Sequence, residues 1–135
     1  MKRSLIDTDI LSMLFRDNRE VKKNFAEYLS KYNKINISIV SYYEIISGLK
    51  HKDAQRQMDS FIAFASQNNI IPLTTESVTL SAEIYSILRK KGTPVDDIDL
   101  LIAGTALENG LIVVTNNTKH FGKIERLTVE NWSVN

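Results

Sequence analysis

The chain has 135 residues and no cysteine. That excludes a disulfide framework, thiolate ligation of zinc or iron–sulfur clusters, and a thiol nucleophile. Only two histidines are present, His51 and His120, so a three-histidine metal site is excluded as well. Two prolines and five glycines leave few breaks, and most of the chain should be regular structure. Charge of one sign is also lacking: 17 Lys+Arg stand against 16 Asp+Glu, a formal net charge of +1. Overall electrostatics therefore make no case for a nucleic-acid partner, which usually shows as a marked basic excess. No apolar run approaches the ~20 residues needed to span a bilayer. The opening Met1-Lys2-Arg3-Ser4-Leu5-Ile6-Asp7 meets an acid too early for a signal-peptide core, so the expected setting is cytoplasmic, with no membrane partner. No GxxxxGK[ST] or GxGxxG loop occurs, which argues against a P-loop or a Rossmann dinucleotide site.

What is present is ordinary for a globular protein, 43% apolar and 24% charged. With no linker or repeat, residues 1–135 read as a single domain. Leu5-Ile6 is a short buried-strand candidate, followed by Ile10, Leu11, Leu14 and Phe15 at helical spacing. A helix is predicted over 19–32. The β-branched run from Ile35 to Val40 reads as a strand, and Ser41 to Leu49 as a helix stopped by Gly48 and the basic Lys50-His51-Lys52. Met58 to Ala65 marks another helix. Ile70-Ile71-Pro72-Leu73 is a short strand whose proline places it at an edge or a strand end. Glu76 to Lys91 is amphipathic and stopped by Gly92. The nearly all-apolar Asp97 to Asn109 should be a central helix ended by Gly110. Leu111 to Thr115 is the strongest strand, and a last one lies near Leu127-Thr128-Val129. Alternating strands and helices imply an α/β fold in three layers: a mostly parallel central sheet of about 4–5 strands with helices on both faces.

In such sheets ligands bind beyond the carboxyl ends of the strands. Asp7-Thr8-Asp9 follows the first strand, Ser41-Tyr42-Tyr43-Glu44 the second, and Thr115-Asn116-Asn117-Thr118 the fourth. The central helix opens with Asp96-Asp97-Ile98-Asp99. Each stretch has a plain structural reading. Asp7 or Asp9 can be a helix N-cap, Ser41-x-x-Glu44 is a capping-box pattern, Asp96 can cap with Asp99 at the third helical position, and Asn116-Asn117 suits a turn. Four such caps at one rim would be a coincidence, and clustered acids repel unless a cation or shifted pKa values offset them. Oxygen ligands without His or Cys suit Mg²⁺, with Mn²⁺ also plausible. Three carboxylates holding such an ion are equipped for phosphodiester hydrolysis.

The order Leu5-Ile6-Asp7-Thr8-Asp9-Ile10, Ser41-x-x-Glu44, Asp99-Leu100-Leu101-Ile102-Ala103 and Val114-Thr115-Asn116-Asn117 resembles the PIN domain. More narrowly it is similar to the VapC toxins of type II toxin–antitoxin modules, from about Leu5 to Trp132. The resemblance implies a Mg²⁺-dependent endoribonuclease that cleaves structured RNA, often tRNA, is restrained by a VapB-type antitoxin, and is usually a homodimer. The family's three core acids fall on Asp7, Glu44 and Asp99, read as the catalytic metal ligands. Its fourth acidic position matches Asn117, a neutral amide that would bond to a metal-bound water or the phosphate. Asp97 is a candidate outer acid, Thr115 a support for the loop, and Glu44 the group that orients or deprotonates the attacking water.

Several residues stay open between structure and function. Arg89-Lys90-Lys91 and Lys50-His51-Lys52 either complement helix dipoles or track phosphates. His120 could protonate a leaving oxygen, and one of Tyr42 and Tyr43 could stack on a base. A Phe15/Phe25/Tyr28 face could receive an antitoxin helix. Competing functions are an inactive PIN-type module that binds RNA or protein, and a metal-independent ribonuclease built on His51 or His120. A receiver-like signalling domain would need a phosphoacceptor Asp at the end of a central strand, where Ile37-Ser38-Ile39-Val40 is followed by Ser41.

Overall fold

Five short strands alternate with seven helices among the described residues of the computed structural model, which are 1–134; Asn135, the last residue of the predicted domain, lies outside the described residues. The order is β1 (Ser4–Ile6), α1 (Thr8–Phe15), α2 (Arg19–Tyr32), β2 (Asn36–Ser38), α3 (Ile39–His51), α4 (Gln55–Ser66), β3 (Asn69–Ile71), α5 (Thr75–Lys90), α6 (Asp97–Glu108), β4 (Ile112–Val114), α7 (Thr118–Phe121) and β5 (Val129–Glu130). All four strand pairings are parallel, in the order β3-β2-β1-β4-β5. The chain lays down β1, β2 and β3 toward one edge, then returns to set β4 on the other side of β1. The space beyond the carboxyl ends of β1 and β4 is thus the topological switch point. β3 is an edge strand with Pro72 just beyond its end, in keeping with the reading of the proline.

Alternation along the strands divides the core between the two faces of the sheet. Leu5 and Val113 pack with Ile84 and Leu88 of α5, Ile102 and Ala103 of α6, and Phe121 of α7. Ile6, Ile112 and Val114 face the other way, against Ile10 and Leu11 of α1, Val21 and Tyr28 of α2, and Trp132. The tyrosine hydroxyl of fully buried Tyr28 accepts from the Ser4 amide at 3.1 Å, which ties α2 to the first residue of β1. No helix among the described residues is long and apolar enough to cross a membrane.

α6 lies close against α5 because the facing residues are small. A Cβ on Gly104 would overlap Ser81 Oγ and the Ser77 carbonyl oxygen. Buried Ser81 also donates to the Leu100 carbonyl at 2.7 Å, which fixes the first turn of α6 and so the height of Asp99. Gly92 and Gly110 sit at φ 74° and 65° beyond α5 and α6, the left-handed conformation that ends a helix at little cost for glycine.

The α3 boundaries differ from those predicted. Its cap is Ser38, whose Oγ accepts from the Ser41 amide at 2.9 Å, so the helix starts at Ile39 and shortens the strand. Ser41 is therefore inside the helix and does not form a capping box with Glu44. Gly48 does not stop α3, which runs through it to His51; the chain turns instead at Asp53, with φ 53°. Residues 118–121 form a helix where a loop was predicted, and the last strand is Val129–Glu130, slightly later than expected.

Candidate active site

Asp7 is the residue on which β1 ends and α1 begins. Its backbone amide extends the β1–β4 ladder by donating to the Val114 carbonyl at 2.9 Å. Its carboxylate caps α1 by accepting from the Thr8 amide at 2.8 Å, so the capping reading holds as far as it goes. A surface cap would be exposed, whereas Asp7 is 5% exposed and takes a second bond, 2.7 Å, from the buried Thr115 hydroxyl beyond β4. Burial, reinforced by the Asp9 carboxylate beside it and by Asp99, raises its pKa from 3.8 to about 7, against the lowering effect of the Thr115 and Thr8 hydrogen bonds.

Glu44, on the sixth residue of α3, is half-buried. With Ser41 displaced from the cap, its Oε1 accepts from Thr8 Oγ1 at 2.6 Å and joins α3 to α1. Asp99 lies in the first turn of α6, where the helix dipole favours a carboxylate. Its pKa is nevertheless raised, by desolvation first and by the charges of Asp96 and Glu44, while a hydrogen bond and the charge of His120 oppose the rise. Asn117 brings the β4 loop to the same place: its Nδ2 lies 3.4 Å from Asp99 Oδ2 and its amide donates to Thr115 Oγ1 at 2.9 Å. Asp7, Glu44, Asp99, Asn117 and Thr115, from four separate segments, thus form one acidic hollow at the switch point.

Asp97 is exposed and makes no hydrogen bond with them among the described residues. It is Asp96 whose charge reaches Asp99, and Asp96 makes no side-chain cap bond. Two members were missed from the sequence. Asp9 accepts from the Asn116 amide at 3.1 Å, while its other oxygen, Oδ1, is buried without a partner. Thr8 carries the Glu44 contact. The doubled acid in Asp7-Thr8-Asp9 was the available signal for Asp9. Of the aromatic pair, Tyr42 packs against Phe61, with ring centroids 5.6 Å apart, and Tyr43 is 65% exposed.

Among the described residues no three His, Asp or Glu side chains are drawn together into a ready-made metal shell. The acids have taken protein donors instead: Thr8 and Thr115 for Asp7, Thr8 for Glu44, Asn117 for Asp99. In donor chemistry and charge the hollow fits a hard divalent cation. Its three predicted ligands offer only oxygen, Asp9 Oδ1 is an orphaned buried acceptor, and the Asp7 carboxylate, desolvated by burial and set beside the negative charges of Asp9 and Asp99, is one that a cation would stabilise.

A second concavity adjoins the first. A groove of about 560 Å³ runs between α1, α3 and α4, floored by Phe15, Leu49 and Phe61 and edged by Arg16, Lys52 and Arg56, with no acidic residue in its lining. Its lining includes Ile45, the residue after Glu44 in α3. This is not the predicted Phe15/Phe25/Tyr28 face. Tyr28 is fully buried and Phe25 packs on Phe64, so of the three only Phe15 lines the groove.

Comparison with known proteins gives a consistent result. The PIN domain family matches residues 4–127. The tRNA(fMet)-specific endonuclease VapC of Shigella flexneri is 30% identical over 138 residues, spanning 98% of this chain and 100% of the relative. Ribonuclease VapC2 of Rickettsia felis is 31% identical over 129 residues, spanning 95% and 96%. Among solved structures, VapBC2 from Rickettsia felis bound to a DNA fragment from its promoter is similar with a TM-score of 0.85 at 30% identity, covering 96% of this chain and 98% of that one.

Proposed function

The chain belongs to the PIN-domain family as a VapC-type member, and from that premise we propose that it is a divalent-metal-dependent endoribonuclease, the toxin of a VapBC-like pair, that cleaves structured RNA, tRNA foremost. The observation that carries this reading is the meeting of Asp7, Glu44 and Asp99 at the switch point, with Asp7 held near neutrality by burial and its acidic neighbours. The tRNA assignment draws support from the Shigella flexneri relative, whose name specifies tRNA(fMet).

In this account Asp7 and Asp99 hold Mg²⁺ or Mn²⁺, directly or through water, and Glu44 completes the set. When bound, such a cation polarises a phosphoryl oxygen and lowers the pKa of an attached water. Glu44 orients the attacking water and takes its proton through Oε2, since Oε1 is engaged by Thr8. Thr115 holds Asp7 and the Asn117 backbone at once, and so fixes the β4 loop against β1. Asn117 presents its amide to the scissile phosphate or to a water beside it. The presence of Asp7, Glu44 and Asp99 together argues against an inactive binding module.

The antitoxin partner is supported by the groove between α1, α3 and α4. Its apolar floor and three cations suit an amphipathic segment with acidic flanks. A segment lying there would run from the groove to Glu44 and cover the acidic hollow.

The direct test is digestion of total tRNA with Mg²⁺ or Mn²⁺, with Asp99→Asn as control. Divalent-dependent fragments that vanish in the variant support the proposal. Cleavage that persists in EDTA would sink it in favour of a metal-independent mechanism.

A further inference from the structure

We propose that His120 is a nitrogen ligand that biases the acidic site toward a transition-metal ion, Mn²⁺ in preference to Mg²⁺. The inference rests on the divalent-metal reading above. It gives a different role to a residue that the sequence offered as an acid for the leaving oxygen.

The short helix α7 sets the histidine in place. Phe121 is fully buried and anchors the helix in the core, while the neighbouring His120 is left at the rim, 45% exposed. There its Nδ1 lies 2.9 Å from Asn117 Nδ2 and 3.5 Å from Asp99 Oδ2. The third side of the triangle, Asn117 Nδ2 to Asp99 Oδ2, is 3.4 Å. Neighbouring ligands of an octahedral ion with bonds of about 2.1 Å stand roughly 3 Å apart. The His120–Asn117 separation matches that spacing, and the two distances to Asp99 Oδ2 exceed it by about half an ångström, so a small inward shift would bring the three groups to one face of a coordination shell. A half-turn of the Asn117 carboxamide exchanges Nδ2 for Oδ1, an oxygen of nearly the same position. The face then offers one nitrogen and two oxygens.

The composition of this face matters for metal choice. Mg²⁺ takes oxygen and gives up water reluctantly, whereas imidazole nitrogen suits first-row transition metals. Were Asp99 a shared ligand, Asp7 and Glu44 would supply hard oxygen donors and His120 a borderline nitrogen donor. The alternative is that His120 serves only as an ion-pair partner of Asp99. That role leaves the metal's inner shell free of nitrogen and affects both cations alike.

The scarcity of histidine makes the test clean. Full-length protein loaded with Mn²⁺ is examined by pulsed EPR, and its Mn²⁺ and Mg²⁺ affinities by calorimetry, for wild type, His120→Gln and His51→Gln. His51, at the last residue of α3, is the only other source of an imidazole signal. A ¹⁴N coupling present in wild type and His51→Gln but absent in His120→Gln is expected. So is a loss of Mn²⁺ affinity of about tenfold or more, the scale on which site residues change metal binding, with Mg²⁺ affinity changed severalfold less. Mn²⁺ bound without ¹⁴N coupling, or equal weakening of both cations in His120→Gln, overturns the His120 inference and leaves the carboxylate reading standing. Wild type that binds neither cation overturns both.

Discussion

Replacing Asp7 by asparagine should inactivate the protein and stabilise it, by an amount that depends on pH. The physical basis is the carboxylate's raised pKa, from 3.8 to about 7, caused mainly by burial and by Asp9. Below pH 3.8 the carboxyl is protonated in both folded and unfolded chains, and the substitution changes little. As pH rises from there, the unfolded chain ionises freely while the folded one resists, so wild-type stability falls until about pH 7 and then levels. The shift corresponds to about 4 kcal/mol at pH 8 as an upper bound. Asparagine keeps an oxygen for Thr115 or Thr8 but not both bonds at carboxylate strength, which reduces the gain to roughly 2–3 kcal/mol. At about 3 °C per kcal/mol for a chain of this size, Asp7→Asn should melt roughly 6–9 °C above wild type at pH 8. The difference should shrink steadily toward pH 4. Thermal melts in metal-free buffer across that range measure it. Millimolar Mn²⁺ or Mg²⁺ should narrow the gap at pH 8 by raising the wild type alone. Equal melting temperatures at pH 8, or a difference that does not vary with pH, would refute the reasoning.

Three further outcomes follow from the geometry. Thr115→Val strips Asp7 of its 2.7 Å bond and orphans the Asn117 amide, so it should cost about 1–3 kcal/mol and move the acid limb of the pH–rate profile to higher pH, read by melts and initial rates. Gly104→Ala forces the added methyl onto Ser81 Oγ and the Ser77 carbonyl; pushing α6 from α5 should cost about 1–3 kcal/mol in chemical denaturation and lower activity by shifting Asp99. Reversing charge with Lys52→Glu and Arg56→Glu should weaken binding of an acidic amphipathic antitoxin peptide at least tenfold in calorimetry, with metal-dependent cleavage retained.

Sequence pattern carried the rim of the site and the alternation of strands and helices because both depend on neighbours in the chain. Asp7 directly follows two apolar residues of β1, and Asp99 opens a helix too apolar to lie anywhere but the centre. Pro72 marked an edge or a strand end. What escaped depends on contacts between distant segments. Ile39-Val40 has strong β character, yet Ser38 caps the helix one turn early, and only that shift frees Glu44 from a local cap to reach Thr8. Tyr28 reads as part of an exposed face until its hydroxyl is seen on the Ser4 amide, 24 residues away. The basic groove sets Arg16, at the end of α1, beside Lys52 and Arg56, which flank the α3–α4 turn. Asp97, two residues before the partly buried Asp99, is turned to solvent by the helical period. His120 was legible as a candidate just after Asn117, but the helix that places it was not, since α7 is four residues long and too short to carry a periodic signal.

The central claim is that Asp7, Glu44 and Asp99 make this chain a metal-dependent ribonuclease. Its most direct test is cleavage of total tRNA by purified full-length protein with Mn²⁺ or Mg²⁺, with EDTA, and by Asp99→Asn under the same divalent conditions. Discrete fragments only for wild type with a divalent ion are the result this account predicts. Equal cleavage by Asp99→Asn, or by wild type in EDTA, would contradict it.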